Sequence, residues 1–271
     1  PGSINIKRTS SHRHVAESAI PHTMPGTPRL PTPLGWPYTL YAYLAFVPIG
    51  VLVLFGMMLP GLALRRGVAR AAARSWLVLA GLRLTVRHSD RLPDAHCVVV
   101  ANHAGYLDGL VLMAALPPRF GFVIKREMST VPLASLLLSR IGSEFVERFD
   151  RHKGASDARR VLRSASNGHS LVFFPEGTFA KRPGLLKFHS GAFHAAAHAG
   201  CPVVPCVLRG TREALPAPGI LLSPGRLEVE FLPVLPASID SEEQATAALR
   251  DRARSAILAA LGEPDLTQAA A

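Results

Sequence analysis

The hydrophobic and polar positions divide the chain into three parts. Residues 1–37 contain seven prolines and no sustained apolar period, which predicts a disordered tail. Residues 38–64 contain no charged side chain, and a run of this length can cross a bilayer. From residue 82 onward, short β-rich runs alternate with helical stretches. Alternation of this kind indicates an α/β domain.

The same pattern predicts individual elements of that domain. The predicted strands are Leu82–Arg87, Cys97–Ala101, Gly121–Ile124, Phe145–Glu147, Leu171–Phe174, Val203–Leu208 and Leu227–Leu232. The predicted helices are Leu107–Ala115, Pro132–Arg140, Ser156–Ser166, Ala192–Ala199 and Ser241–Leu261. We therefore expect an α/β fold with a mixed, mostly parallel central sheet flanked by helices. An N-terminal membrane-associated helical segment precedes it.

The N-terminal apolar run allows two arrangements. Its length permits a tilted span, but proline and glycine interrupt it at Pro48, Gly50, Gly56, Pro60 and Gly61. Two short helices that dip into one leaflet are the alternative. Arginines follow the run, and the positive-inside rule places them on the cytoplasmic side. Residues 68–81 predict an amphipathic helix, which either lies flat among lipid headgroups or packs as an ordinary surface helix.

Composition narrows the classes of partner that we expect the chain to bind. The 271 residues have a formal net charge of +11, and 48% of them are hydrophobic. A basic and apolar chain suits anionic membrane lipid or phosphorylated substrates. No aromatic-interleaved or helix-turn-helix pattern supports nucleic acid as a partner. The predicted parts are the tail 1–37, membrane-associated helices 38–81, an α/β domain 82–262 and a tail 263–271.

A histidine and an aspartate follow the second predicted strand. Asn102 and His103 come directly after Ala101, and Asp108 follows at the start of a predicted helix. Ligands bind at the carboxyl ends of strands in open α/β sheets. The aspartate can hold one imidazole nitrogen and leave the other free as a base. No serine or cysteine accompanies the pair, so it would activate a substrate hydroxyl. A capping aspartate beside a surface histidine also fits.

Another candidate segment follows the strand Leu171–Phe174. Glu176, Gly177 and Thr178 could orient a substrate there, although an ordinary turn has the same composition. His194 and His198 have the spacing of metal ligands. Ala195 stands where a zinc peptidase has its glutamate, so we expect no metal.

Together these segments resemble the glycerolipid acyltransferase family, which includes bacterial 1-acylglycerol-3-phosphate acyltransferases. The matching motifs are Asn102-His103-x4-Asp108, Lys125-Arg126-Glu127-Met128-x3-Pro132, Phe145-Val146-Glu147-Arg148, Phe174-Pro175-Glu176-Gly177-Thr178 and Val203-Val204-Pro205-Cys206. They occur in the family's order over residues 97–210, after an apolar N-terminal run. Ordered context of this kind makes a motif match specific.

The resemblance implies an O-acyltransferase. It would move a fatty acyl group from acyl-CoA or acyl-carrier protein, as co-substrate, to the free hydroxyl of a lyso-lipid. The acceptor expected first is 1-acylglycerol 3-phosphate, which gives phosphatidic acid. His103 would be the base and Asp108 its partner, without a cofactor or a metal. Substrate binding would involve Asn102, Lys125, Arg148, Glu176, Gly177, Thr178, Lys181 and Arg182. The expected location is the cytoplasmic membrane, with the catalytic domain on its cytoplasmic face.

One position departs from the family pattern. Lysophosphatidate enzymes usually have an arginine where this chain has Phe179. Lys181 or Arg182 could supply the missing charge. The alternative is an acceptor without a phosphomonoester, such as a lyso-ornithine lipid or another lyso-lipid. A non-catalytic lipid-binding protein is a more remote alternative, against which the intact His103/Asp108 pair argues.

Overall fold

The strands follow the predicted apolar runs. The computed structural model describes residues 32–147, 151–236 and 243–267. Its strands are β1 (Leu82–Arg87), β2 (Val98–Ala101), β3 (Phe120–Lys125), β4 (Glu144–Val146), β5 (Ser170–Phe173), β6 (Val203–Arg209) and β7 (Gly225–Phe231). Every residue of β2 and β5 is buried, as expected for central strands covered on both faces.

The seven strands form one sheet in the order β1-β7-β6-β2-β5-β3-β4. Strands β2, β3, β4, β5 and β6 run parallel to one another. β7 pairs antiparallel with β6 and parallel with β1, so these two strands run opposite to the rest. The expected mixed, mostly parallel sheet is confirmed. The carboxyl ends of β2, β3, β5 and β6 therefore share one edge, which we call the catalytic edge.

Helices cover both faces of the sheet. They are α1 (Thr32–Gly56), α2 (Leu62–Leu79), α3 (Asp108–Ala115), α4 (Pro132–Arg140), α5 (Arg151–Ser166), α6 (Gly191–His198), α7 (Thr211–Ala214) and α8 (Glu243–Leu261). One core cluster joins the sheet to α2 and α3. A second joins the opposite face to α5, α6 and α8. Two packed layers of this kind bury both faces of a parallel sheet.

The N-terminal apolar run forms one continuous helix up to Gly56. Pro48 and Gly50 lie inside α1 without ending it, whereas Pro60 and Gly61 lie in the turn before α2. Gly61 has φ +84° there, a value that favours glycine. The predicted tail 1–37 has its residues 32–37 inside α1. Residues 1–31 lie outside the described residues, as does the end of the predicted tail 263–271.

Helix α2 turns its apolar side toward protein. Ala73, Trp76 and Leu77 are buried in the core cluster, and the Trp76 indole donates a 3.0 Å hydrogen bond to the Ala42 carbonyl of α1. For this face of residues 68–81, the structure agrees with a helix packed on protein and not with a helix lying among lipid headgroups. Lipid could reach only the other side, where Val78 is exposed.

A buried arginine fixes the start of α2 to the sheet. The Arg66 guanidinium donates hydrogen bonds of 2.8 Å to the carbonyls of Ile141 and Arg119. Burial lowers the pKa of Arg66, but guanidinium stays protonated in proteins. These two carbonyls lie just after α4 and just before β3, so one side chain connects three elements.

Candidate active site

The segment after β2 places a histidine at the catalytic edge. β2 ends at Ala101, residues 102–107 form a turn, and α3 begins at Asp108. β2 lies between β6 and β5 in the middle of the sheet. A polar side chain directly after such a strand is held by a rigid scaffold.

The side chains of His103 and Asp108 form a close pair. The Nδ1 atom of His103 lies 2.7 Å from Oδ2 of Asp108. The same Oδ2 accepts backbone N–H hydrogen bonds from Ala104 at 2.6 Å and Gly105 at 2.9 Å. Asp108 is 0% exposed. Because a carboxylate only accepts hydrogen bonds, Nδ1 carries the proton and Nε2 is the nitrogen with the free lone pair.

A buried glutamate holds the backbone of this turn. Glu176 accepts the His103 backbone N–H at 2.6 Å through Oε1 and the Leu186 N–H at 2.8 Å through Oε2. It is 3% exposed. Burial raises the pKa of Glu176 to about 7, although the two backbone donors oppose that rise. Glu176 therefore positions the backbone of the candidate base His103, a role that its sequence motif alone does not indicate.

Asn102 joins β2 to its neighbour β6. Its Oδ1 accepts the Leu208 N–H at 2.7 Å, and its Nδ2 donates to the Leu208 carbonyl at 3.1 Å. The side chain is buried. The side-chain amide therefore continues the pairing of β2 with β6 one residue beyond the end of β2. Substrate contact by Asn102 stays a prediction.

Two aromatic rings contact the candidate base, and a third packs against one of them. The His103 ring stacks on Phe174 with centroids 4.4 Å apart and packs edge-on to Phe179 at 4.8 Å. Phe179 also packs edge-on to Tyr106 at 5.0 Å, and Tyr106 is exposed. Phe174 and Phe179 restrict the orientation of the imidazole. The residue that departs from the family pattern thus touches the candidate base.

The predicted substrate-binding residues after Glu176 lie on an exposed loop. Gly177 has φ +74°, which favours glycine. Thr178, Lys181 and Arg182 are exposed. They remain available to a ligand at the catalytic edge, and their predicted contacts stay predictions.

Of the two other predicted cations, the structure describes Lys125, which lies on the far side of β5 from β2. Lys125 ends β3 and forms an ion pair with Glu127 at 3.1 Å. Arg148 lies outside the described residues. Lys125 is thus at the catalytic edge, because the end of β3 belongs to that edge, but part of its charge is already balanced.

An apolar cleft of about 570 Å³ lies on the α5, α6 and α8 side of the sheet. Phe174 and Gly177 line it, so Phe174 separates the cleft from His103. His194 and His198 lie at its wall. Among the described residues, no group of three or more His, Cys, Asp or Glu side chains could hold a metal. The cleft has no local sequence signal, because its lining residues come from six separate helices and strands and from the loops between them.

Comparison with known proteins places this site in a family. Residues 83–209 match the family model Acyltransferase. A chloroplastic 1-acyl-sn-glycerol-3-phosphate acyltransferase of Brassica napus is 35% identical over 129 residues, covering 47% of this chain and 37% of that protein. The human 1-acyl-sn-glycerol-3-phosphate acyltransferase beta is 32% identical over 171 residues, covering 61% of this chain and 60% of that protein. The matched region contains both the His103/Asp108 pair and Glu176.

The fold agrees with a solved structure. The crystal structure of the 1-acyl-sn-glycerophosphate acyltransferase PlsC from Thermotoga maritima superposes with a TM-score of 0.69 at 21% identity, covering 83% of this chain and 95% of that chain. The first plant relatives are matched over less than two fifths of their own length. Motifs, fold and relatives agree, and the chain belongs to the glycerolipid acyltransferase family.

Proposed function

We propose that the protein is an O-acyltransferase that moves a fatty acyl group from a thioester to the free hydroxyl of a lyso-lipid. The acceptor that we propose first is 1-acylglycerol 3-phosphate, with phosphatidic acid as product, because the relatives carry that activity in their names. The observation that carries the proposal is the pair of His103 and Asp108 at the catalytic edge. The donor is acyl-CoA or acyl-carrier protein.

The chemistry follows from the protonation of the pair. Nε2 of His103 takes the proton of the acceptor hydroxyl while the oxygen attacks the thioester carbonyl carbon. The Asp108 carboxylate stabilises the imidazolium that forms. The tetrahedral intermediate collapses, the carbon–sulfur bond breaks, and the leaving thiolate takes the proton from Nε2. Because a thioester is already activated, the reaction needs no covalent enzyme intermediate.

Cations near the catalytic edge would hold the acceptor phosphate. Lys181 and Arg182 are exposed on the loop after Glu176, and Lys125 ends a strand at the same edge. Fixed cations of this kind bind phosphate oxygens. We assign Arg148 to the same role from its motif alone.

A lyso-ornithine lipid is the second candidate acceptor. Phe179 packs against both His103 and Tyr106, so an aromatic ring stands where the family pattern has a guanidinium. The face of an aromatic ring attracts ammonium groups through cation–π interaction. An ornithine headgroup carries an ammonium group, whereas a phosphomonoester is an anion. This contact favours the second candidate at the position next to the base.

The N-terminal helix supports a membrane location. Leu34–Gly56 is long and apolar enough to cross a membrane, with a mean hydropathy of 2.0. Only 22% of its most apolar window is buried, whereas the core helix of a soluble protein is mostly buried. We propose that α1 contacts the bilayer and that the catalytic domain lies on the cytoplasmic face, as the arginines after the run indicate. Anionic lipid suits the basic chain.

Thiol release from palmitoyl-CoA tests the reaction. Purified protein in detergent is assayed with lysophosphatidate, glycerol 3-phosphate or lyso-ornithine lipid as acceptor. His103→Ala should abolish acceptor-dependent release, because it removes the proposed base. Its matched control is His169→Ala, which removes an exposed histidine just before β5, at the end of that strand opposite the catalytic edge. Substantial transfer by folded His103→Ala would refute the base assignment.

A second comparison separates the two acceptors. Release that only lysophosphatidate stimulates would mean that a phosphate site exists without the usual arginine. Stimulation by lyso-ornithine lipid alone would favour the aromatic acceptor pocket. In that case Phe179→Arg should weaken the use of lyso-ornithine lipid, because it places a cation beside the ammonium group. Phe179→Leu is the control, since it removes the ring without adding charge.

A further inference from the structure

Helix α4 is apolar but has no buried residue. Its nine residues include four leucines. Leu133 is 67% exposed and Leu136 is 47% exposed, while Met128 and Val131 just before the helix are also exposed. We call Met128, Val131, Leu133 and Leu136 the α4 surface. An apolar helix of a soluble domain normally turns such residues to the core, so this surface requires a partner.

The segment around the α4 surface also lacks charge. Residues 128–139 contain no charged side chain. Before them, Lys125 pairs with Glu127 and Arg126 pairs with Asp157, and Arg140 follows them. Apolar side chains between flanking cations are typical of segments that lie in the membrane interface, where the cations meet anionic headgroups. Four half-exposed side chains offer far less than the roughly 800 Å² per partner of a stable protein–protein interface.

Helix α4 and the end of α1 contribute to one apolar cluster. Leu137 and Leu138 of α4 pack against this cluster, which contains Val53 of α1 and Met57 just after it. Phe55 and Met58, which neighbour Met57 in the chain, are exposed. Exposed apolar side chains therefore flank the shared cluster on both segments.

The topology also places apolar contacts on both sides of His103. Residues 126–131 follow the carboxyl end of β3, to one side of β2 in the strand order. Ile220 lies in the connection between β6 and β7, to the other side. Its side chain is exposed, and its carbonyl accepts a 3.0 Å hydrogen bond from the Tyr43 hydroxyl of α1. A bilayer that contacts both sides would hold the catalytic edge at the lipid headgroups.

We propose that the α4 surface is a second membrane-contact site, which inserts into the headgroup–acyl boundary of a bilayer with anionic lipid. This proposal rests on the proposed membrane location of α1. The contact limits how far the domain can tilt about α1, and it presents His103 to an acceptor that remains in the bilayer.

Site-specific fluorescence tests this contact without turnover. Leu133→Cys is labelled with an environment-sensitive dye and reconstituted in phosphatidylethanolamine/phosphatidylglycerol vesicles. Burial raises the pKa of the native thiols Cys97, Cys201 and Cys206, so the introduced thiol reacts first. Leu52→Cys on α1 is the control for insertion. Ser255→Cys is exposed on α8, on the opposite face of the sheet, and is the control for no contact.

We expect blue-shifted emission from the labels at 133 and 52, and loss of both signals with spin-labelled lipid, while the label at 255 stays unchanged. Insertion at 52 without insertion at 133 would overturn the α4 contact and leave the acyltransferase proposal intact. No insertion at either position would remove the membrane location itself. A shift at 133 that depends on protein concentration and not on lipid would identify a second copy of the chain as the partner and overturn the proposal.

A functional comparison uses the double variant Leu133→Asp/Leu136→Asp. Its acyl transfer to an acceptor in vesicles should fall, while transfer to the same acceptor dispersed in detergent should match the unchanged protein. Transfer in vesicles that equals that of the unchanged protein would overturn the contact. The matched control is the exposed pair Ser255→Asp/Ala259→Asp on α8.

Discussion

Replacing Asp108 with asparagine separates the charge of the pair from its hydrogen bonds. In the structure Oδ2 accepts the Nδ1–H of His103 and the backbone N–H groups of Ala104 and Gly105. Oδ1 is buried and has no hydrogen-bond partner among the described residues. An asparagine that keeps its oxygen at the Oδ2 position can therefore retain all three hydrogen bonds, with its NH₂ group in the place of Oδ1.

The loss of charge should dominate the loss of rate. A carboxylate and an imidazolium with charge centres about 4 Å apart attract each other by about 4 kcal/mol at an effective dielectric constant of about 20. If the imidazolium forms in the transition state, Asp108→Asn should lower kcat/KM by up to about 10³-fold. The buried NH₂ group without an acceptor should also cost about 1–3 kcal/mol of folding free energy.

Asp108→Ala provides the comparison. It removes the charge and all three hydrogen bonds, and it leaves the Ala104 and Gly105 N–H groups without their acceptor. We expect a larger fall in both kcat/KM and melting temperature than for asparagine. Thiol release is measured beside thermal unfolding for both variants. A folded Asp108→Asn protein that keeps more than about a tenth of the activity would refute the role of the charge.

Three further outcomes are expected, each read by thermal or denaturant unfolding. Arg66→Met should lower the free energy of unfolding by roughly 2–4 kcal/mol, because two buried carbonyls lose a charged donor. The control Arg83→Met, at an exposed position, should change it by less than about 0.5 kcal/mol. The pKa of Glu176 is raised from 4.5 to about 7, so ionisation of this carboxyl favours the unfolded state. The free energy of unfolding should therefore fall by about 3 kcal/mol as pH rises from about 4.5 through about 7. Glu176→Gln should remove that slope, and an unchanged slope would contradict the burial argument. Gly210→Ala should lose more than about 2 kcal/mol, because φ is +86° and its Cβ would lie 2.0 Å from a carbonyl oxygen. Gly191→Ala, with open space around its Cβ, should be nearly neutral.

Local patterns predicted the elements because each is encoded in a short segment. Predicted and observed bounds of β1 and α4 are identical, since apolar runs and the proline at the start of α4 are local signals. The His103/Asp108 pair was predictable for the same reason, because one turn contains both residues. The reversed direction of β1 and β7 was not predicted, since strand direction depends on pairing between distant segments.

The contacts that hold the candidate base could not be predicted from the sequence and became visible only in the structure. Glu176 holds a backbone N–H that lies 73 residues earlier in the chain, and no spacing rule connects the two. The continuity of α1 through Pro48 was also open, because tertiary packing can compensate for one lost helix hydrogen bond. Phe179 was identified only as a departure from the family pattern. Its contact with His103 depends on how the loop folds back over the catalytic edge.

The Glu176 carboxylate has an evolutionary consequence. Through its two oxygens it joins the turn that carries the base to Leu186, at the far end of the loop of residues 177–185. The intervening loop is thus closed at its base, and exposed positions such as Thr178, Lys181 and Arg182 can change while the anchor stays in place. Substitutions in this loop could then change which acceptor headgroup is bound, without changing the residues that we propose remove the proton.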